Sequence, residues 1–292
     1  MKDIIQSLLE RCSFPDRPVD CAVSGGADSM ALLALASSAG LEVTAIHVDH
    51  GIREGSGDEA EVVAAAAERF GAQFESRSVT VDTGPNLEER ARQARYSVLP
   101  ENVLTGHTAD DQAETILLAL IRGSAWQGMG GIMPTTNRPI LQLRRSETEH
   151  LCSSLGITTI TDPSNMDPQF RRNRIRHELL PLLCDIADRD LVPVLVRQAE
   201  LFRDGSKFIS EEAQKIDPTN TRELESVPRI ISREAIRNWI WETRGDDHPP
   251  DLATIDRVLD VAYLESIATD VGKGWRVART DRVLRIEKPD AV

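Results

Sequence analysis

Strand-like runs at residues 19–23, 43–48, 73–79 and 103–106 alternate with stretches at 27–39, 58–70, 86–99 and 109–122 whose apolar positions recur at helical spacing. Short runs bounded by turn residues read as strands, and the longer periodic stretches as amphipathic helices. Such alternation predicts an α/β fold, a Rossmann-like parallel sheet with helices on both faces. Ligands of such sheets lie at the carboxyl ends of the strands, so the segments following residues 23, 48 and 106 are where chemistry is expected. A loop rich in Gly and Pro follows at 123–139, then helical patterns at 146–155 and 174–183, the latter broken or kinked near Pro181. Residues 191–215 read as a long amphipathic helix, 217–220 as a linker, 228–243 and 252–264 as two more helices, and 274–278 with 282–287 as a hairpin across 279–281. The expected organisation is a large domain over 1–188, a helical linker over 189–216 and a small α+β domain over 217–292.

Composition narrows the class. The 292 residues are 40% hydrophobic and 28% charged, as in an ordinary globular protein. The longest apolar runs, such as 116–121, are far too short to span a bilayer, and the N-terminus carries no secretory pattern. Cys12, Cys21, Cys152 and Cys184 are scattered without a Cys-x-x-Cys pair, which argues against a zinc knuckle, an iron–sulfur site or a disulfide framework. Reduced cysteines and a cytoplasmic location are expected. The net charge of −13 has the wrong sign for a general nucleic-acid binder. The charge is uneven, however. Arg171, Arg172, Arg174 and Arg176 lie together without an acid, and Lys273, Arg276, Arg279, Arg282, Arg285 and Lys288 outnumber the acids around them.

The first strand runs into Ser24-Gly25-Gly26-Ala27-Asp28-Ser29 and then into a helix. A Gly-rich turn at a helix start is an anion site, because backbone N–H groups line it and the helix end adds partial positive charge. The Gly-Lys-Ser/Thr of a Walker loop is missing, and so is Gly-x-Gly-x-x-Gly. Asp28 is an acid where phosphates would sit, which calls for a cation such as Mg²⁺ between them. The second strand ends in His47-Val48-Asp49-His50-Gly51-Ile52-Arg53, and the fourth in Gly106-His107-Thr108-Ala109-Asp110-Asp111-Gln112-Ala113-Glu114-Thr115. Asp110 or Asp111 could cap the next helix, but one cap does not explain two adjacent acids with Glu114 a turn on. Asp111 and Glu114 share a helix face, which makes sense if a cation or an amino group lies against them.

The pattern SGGxDS resembles the PP-loop of the ATP pyrophosphatases, which cleave ATP between the α- and β-phosphates. In order with HVDHGxR, GHxADDQAET, Asp162-Pro163-Ser164-Asn165 and Phe170-Arg171-Arg172-Asn173-Arg174-Ile175-Arg176, it is similar to the tRNA(Ile)-lysidine synthetases over roughly residues 15 to 185. That resemblance implies a ligase that adenylates the C2 oxygen of the wobble cytidine of a CAU-anticodon tRNA(Ile) with ATP and Mg²⁺, then joins free lysine to C2. It implies that Ser24, Gly25, Gly26, Ala27, Asp28 and Ser29 bind ATP, that Asp28 and Asp111 hold Mg²⁺, and that His107, Asp111 and Glu114 orient the cytosine or the amine. Arg90 or Arg95, of which Arg95 is preferred, would stabilise charge on the α-phosphate; Arg171, Arg174, Arg176, Lys273 and Arg276 would contact RNA. A membrane partner is not expected, and a homodimer is compatible with the sequence. Thr108 stands where the family often has a second histidine.

Other readings have their own marks. A tRNA thiolase on the same fold would need catalytic cysteines. A small-molecule adenylating enzyme would not need the basic hairpin, and a non-catalytic RNA-binding module would have no use for Asp28, Asp111 and Glu114. His47, His50, His150, His177 and His248 are expected to be ordinary core or surface residues, and Trp126, Trp239, Trp241 and Trp275 to serve packing.

Overall fold

The computed structural model describes residues 2–49, 56–80 and 87–288. They form two compact units, Met1–Glu200 and Leu201–Val292. In chain order the first contains α1 (Lys2–Leu9), β1 (Val19–Ala22), α2 (Ala27–Ser38), β2 (Val43–Asp49), α3 (Ser56–Arg69), β3 (Gln73–Ser78), α4 (Leu87–Ser97), α5 (Ala109–Ile121), α6 (Trp126–Met129), α7 (Arg145–Leu155), α8 (Arg171–Arg174), α9 (Leu180–Ala187) and the start of α10 (Val192–Ala213). Strands β1, β2 and β3 are parallel and adjacent in that order, with Val19 opposite Val43 and Thr44 opposite Gln73. The α/β fold expected from the alternation is therefore present.

The fourth expected strand is reduced to one parallel bridge between Cys21 and Leu104. Leu104 N–H donates to Asp20 O and its carbonyl accepts from Ala22 N–H, after which Thr105 N–H turns to Asn137 O. The reason is close packing at Gly106, where a Cβ would lie 2.8 Å from the Asp28 carbonyl. The chain must turn there, against the start of α2, instead of extending along β1.

Helix α2 is apolar on every side because it is enclosed: Met30 to Ala36 are all buried. One face of the sheet packs on α1, α2, α3 and α7 through Val19, Cys21, Val43, Ala45, Leu32, Leu33, Val63 and Leu151, while Ile46 meets Leu99 and Val103 on the other. Truncating a wholly buried leucine such as Leu33 costs about 2–5 kcal/mol, so the floor of the α2 N-terminus is firmly placed. A third cluster joins α5, α9 and α10 through Ala113, Leu117, Ile175, Leu180 and Val192.

The kink expected near Pro181 is a single π-helical turn, Ile175–Leu179, between α8 and α9. Pro181 has no N–H for the preceding turn, and the wider turn absorbs the lost bond.

The second unit holds α11 (Thr221–Ser226), α12 (Arg229–Arg244), α13 (Leu252–Ala262) and the antiparallel sheet β4 (Ala268–Gly272), β5 (Trp275–Thr280) and β6 (Val283–Glu287). Its core is Leu224, Ile236, Ile240, Val258, Leu259, Val277 and Leu284. Strand β4 was absent from the sequence reading. The segment read as a linker pairs with β6: Thr221 N–H donates to Arg282 O and Leu284 N–H to Thr219 O. Among the described residues, no helix is long and apolar enough to cross a membrane.

Candidate active site

Strand β1 delivers Ser24 to the turn. Gly25 has φ +86°, its carbonyl accepts from Ile160 N–H, and a Cβ on it would stand 2.3 Å from Ile160 Cδ1. Only glycine fits on both grounds. Ser24 N–H donates to Ser29 Oγ at 3.2 Å, and Ser29 Oγ donates to Gly26 O at 2.9 Å, so the loop is tied to the first turn of α2. Gly26 caps α2 without a side-chain acceptor, leaving the N–H groups of Ala27, Asp28 and Ser29 at a helix end suited to an anion.

The second limb arrives at Gly106. His107 follows, its Nδ1 2.8 Å from Thr105 Oγ1. Thr108 is the N-cap of α5 and donates both its N–H, at 2.8 Å, and its hydroxyl, at 3.0 Å, to Asp111 Oδ2. Neither Asp110 nor Asp111 is the cap residue itself. Asp110 instead joins two helix starts: it accepts from Arg144 Nε and Nη2 and from the Arg145 N–H at 2.8 Å. Gln112 pins the Gly-rich loop, donating Nε2 to Ile132 O and accepting from Ile132 N–H.

Asp28, Asp111 and Glu114 converge on Arg145, at the start of α7. Its Nε lies 3.4 Å from Asp28, Nη2 3.0 Å from Asp111 and Nη1 2.9 Å from Glu114. Arg172 donates to Asp111 at 3.1 Å and Glu114 at 2.9 Å, and Arg176 reaches Glu114 at 2.7 and 3.0 Å. Glu114 is wholly buried. Burial alone would push its carboxyl up, but the hydrogen bonds of Arg176 and the charges of Arg145, Arg176 and Arg172 prevail and hold it at about 2. Asp28 goes the other way: burial, with the Asp111 charge beside it, raises it to about 6 against the Thr148 hydroxyl and Arg145.

A divalent cation fits Asp28 better than Asp111. Among the described residues the Asp28 oxygens meet one hydroxyl, that of Thr148, and one guanidinium, Arg145 at 3.4 Å, whereas the Asp111 oxygens accept twice from Thr108 and once each from Arg145 and Arg172. No three His, Cys, Asp or Glu side chains among the described residues form a metal nest. A Mg²⁺ ion there would take its remaining ligands from phosphate and water, as is usual for that ion.

The structure thus brings together Ser24 to Ser29, Asp111, Glu114 and Arg176, with His107 in the adjoining loop. Arg171 and Arg174 are exposed on α8, Arg174 pairing with Glu178. Arg95 is half-buried on α4. Lys273 and Arg276 are exposed in the second unit, Lys273 with its ammonium 2.7 Å from Asp246. His47 is buried in β2 with Nδ1 3.0 Å from Val23 O, while His50 and residues 51–53 lie outside the described residues. Trp239 and Trp275 pack on the second core, but Trp126 and Trp241 are exposed. Sequence reasoning missed Arg145, Arg172 and Thr148. The i,i+4 spacing of residues 172 and 176 would have placed those two arginines on one face; nothing in the sequence points to Arg145.

A parallel sheet whose first turn is this Ser-Gly-Gly-Ala-Asp-Ser loop defines a PP-loop domain, and the PP-loop domain family matches residues 1–183. That family is one of ATP-using enzymes. The tRNA(Ile)-lysidine synthase of Rhodococcus erythropolis (strain PR4 / NBRC 100887) is 40% identical over 242 residues, covering 77% of this chain and 74% of its own. That of Nocardia farcinica (strain IFM 10152) is 38% identical over 260 residues, covering 82% and 81%. That of Solibacter usitatus (strain Ellin6076) is 34% identical over 300 residues, covering 93% and 67%. The chain belongs to the tRNA(Ile)-lysidine synthase family, a family of ligases, as its ordered motifs anticipated. A solved structure, the U34-tRNA thiolase NcsA from Methanococcus maripaludis with its [4Fe-4S] cluster, shares the fold with TM-score 0.54 at 15% identity, covering 69% of this chain and 79% of its own. Here burial raises the Cys152 thiol to about 11, far from the lowered values of reactive cysteines.

Proposed function

We propose that the chain joins free lysine to C2 of the wobble cytidine, position 34, of a tRNA(Ile) with a CAU anticodon, forming lysidine. The C2 oxygen is a poor leaving group, so it first attacks the α-phosphorus of ATP and pyrophosphate departs. An amine of lysine then attacks C2, and AMP leaves with the oxygen. In this reading Ser24, Gly25, Gly26, Ala27 and Ser29 cradle the phosphates with the N-terminus of α2. Asp28 holds Mg²⁺, and Asp111 joins it when an arginine gives way; the ion, when bound, offsets charge on the triphosphate. His107, Asp111 and Glu114 orient the base or the amine. Arg95 serves the α-phosphate, and Arg171, Arg174, Arg176, Lys273 and Arg276 meet RNA phosphates. Residues 1–188 are the catalytic domain, 189–216 the linker and 217–292 the RNA-binding domain.

The observation that carries the reading is the meeting of the PP-loop acid Asp28 with Asp111 and Glu114 around one guanidinium. In this reading the phosphate chemistry and the recognition of an amine or base are adjacent. The test is incubation with ATP, Mg²⁺, radiolabelled lysine and a CAU-bearing tRNA(Ile) transcript. Label should enter RNA only with ATP and a wobble cytidine, one AMP and one pyrophosphate being released per lysine, and Asp28→Ala should abolish it. AMP release without tRNA would identify a small-molecule adenylating enzyme instead.

A further inference from the structure

The three acids of the site face three arginines, so the cluster is charge-balanced as it stands. Glu114 accepts four hydrogen bonds from Arg145, Arg172 and Arg176, and Asp111 accepts from Thr108, Arg145 and Arg172. Neither a metal ion nor an ammonium group meets net negative charge there until one guanidinium turns away. The three arginines are not equivalent. Among the described residues Arg172 and Arg176 pair only with Asp111 and Glu114, whereas Arg145 also reaches Asp28, in the first turn of the phosphate-facing helix. Its contact to Asp28, 3.4 Å, is the longest of its three. Its main chain is held: the Arg145 N–H donates to Asp110, which is itself gripped by Arg144 through two bonds, and Thr148 one turn along donates to Asp28. A fixed backbone with a guanidinium beside the phosphate loop is an arm free to swing by side-chain rotation alone.

We propose that Arg145 is a catalytic residue of the adenylation step, resting on the function proposed above. It leaves the carboxylates when ATP binds and places its guanidinium on the α-phosphoryl oxygens. As the cytosine O2–Pα bond forms and the bond from Pα to the bridging oxygen breaks, the electron pair leaves with pyrophosphate. The guanidinium stabilises the charge on the phosphoryl oxygens in between. The same movement frees Asp28 for the cation and leaves Asp111 and Glu114, still held by Arg172 and Arg176, in a cluster with one net negative charge to attract the lysine ammonium. A planar, permanently charged fork suits both partners, and a lysine in its place would serve phosphate only as a point charge.

The test uses Arg145→Gln and Arg145→Lys in the full chain, read in two ways. Calorimetry with a non-hydrolysable ATP analogue and Mg²⁺ should give a Kd about tenfold weaker for Arg145→Gln. Single-turnover release of pyrophosphate with saturating tRNA should slow about 10²- to 10³-fold, with partial recovery in Arg145→Lys. Wild-type analogue affinity together with a wild-type rate in Arg145→Gln would overturn the proposal. If the wild type releases no pyrophosphate with tRNA, the substrate reading fails, and the analogue affinities still decide whether Arg145 meets nucleotide. Should Arg145→Gln not fold, Glu114→Gln/Arg145→Gln restores the charge balance, and its analogue Kd is compared with that of Glu114→Gln alone: equal values overturn the proposal.

Discussion

The arginines of the two units follow opposite physical rules. Around Glu114, Arg145, Arg172 and Arg176 come from segments 31 to 62 positions away and meet a carboxylate removed from water. On the C-terminal sheet, Arg276 points outward between the cross-strand positions of Asp270 and Glu287, Arg282 pairs with Glu225 and Lys273 with Asp246. Arg279 is folded back onto the Val261 carbonyl. Half of the basic run is thus taken up locally, Lys273 and Arg282 by acids and Arg279 by backbone carbonyls. A buried pair is strongly coupled because desolvation leaves each charge dependent on the other, whereas exposed pairs are screened and contribute at most about 1 kcal/mol. Identical residue types therefore hold a site together in one unit and present a modest, salt-sensitive surface in the other.

Breaking the buried side should have the largest effect. Glu114→Ala removes the common acceptor of three guanidiniums, and urea unfolding should show a loss of about 3–5 kcal/mol. A loss below 1 kcal/mol would mean that water reaches these arginines freely. The acid limb sharpens the point. Because Glu114 is held at about 2, below the unfolded value of 4.5, the stability it contributes is present above that value and is lost as the pH falls toward 2. Acid unfolding of Glu114→Gln should accordingly be shallower than that of the wild type.

Asp28 supplies the intermediate effect. Its pKa is raised to about 6, so the carboxylate that would hold a cation is depleted below that pH. For an acid shifted upward, the folded state binds the extra proton between 3.8 and about 6, and its ionisation weakens the ligand-free fold as the pH rises through that window. Activity has the opposite sign: kcat/KM for ATP should drop about tenfold per pH unit below 6. A profile flat down to pH 5 would remove Asp28 from cation binding.

On the exposed side the effect is smallest. Arg276→Ala should change stability by less than about 0.5 kcal/mol, while lowering by about one the slope of log affinity for tRNA against log salt. An unchanged slope would show that this arginine meets no phosphate.

Much of the first unit was legible because its signals are local. Ser24 to Ser29 announce a phosphate loop through glycine geometry alone, and the apolar surround of α2 follows from residues 30–36 being apolar without a polar stripe. Asp111 and Glu114 stood out by helical spacing. What escaped was set by contacts across the chain. The fourth strand ended after one bridge because Gly106 had to fit against the Asp28 carbonyl. Asp110 and Asp111, adjacent and chemically alike, were assigned to different partners only when α5 and α7 met end to end. Thr108, a departure from the family pattern, became the donor that orients Asp111.

The sequence by itself determined the α/β order of elements, the anion-binding turn and the family, since each depends on neighbours within a few residues or on motifs in a fixed order. Tertiary structure alone decided that Arg145 and Arg172 belong to the site, that Arg174 does not touch its acids, and that Asp28 and Glu114 titrate in opposite directions. The physical reason is that a charge acquires its role from what shields it and what lies within about 3 Å of it, and neither quantity is written along a chain.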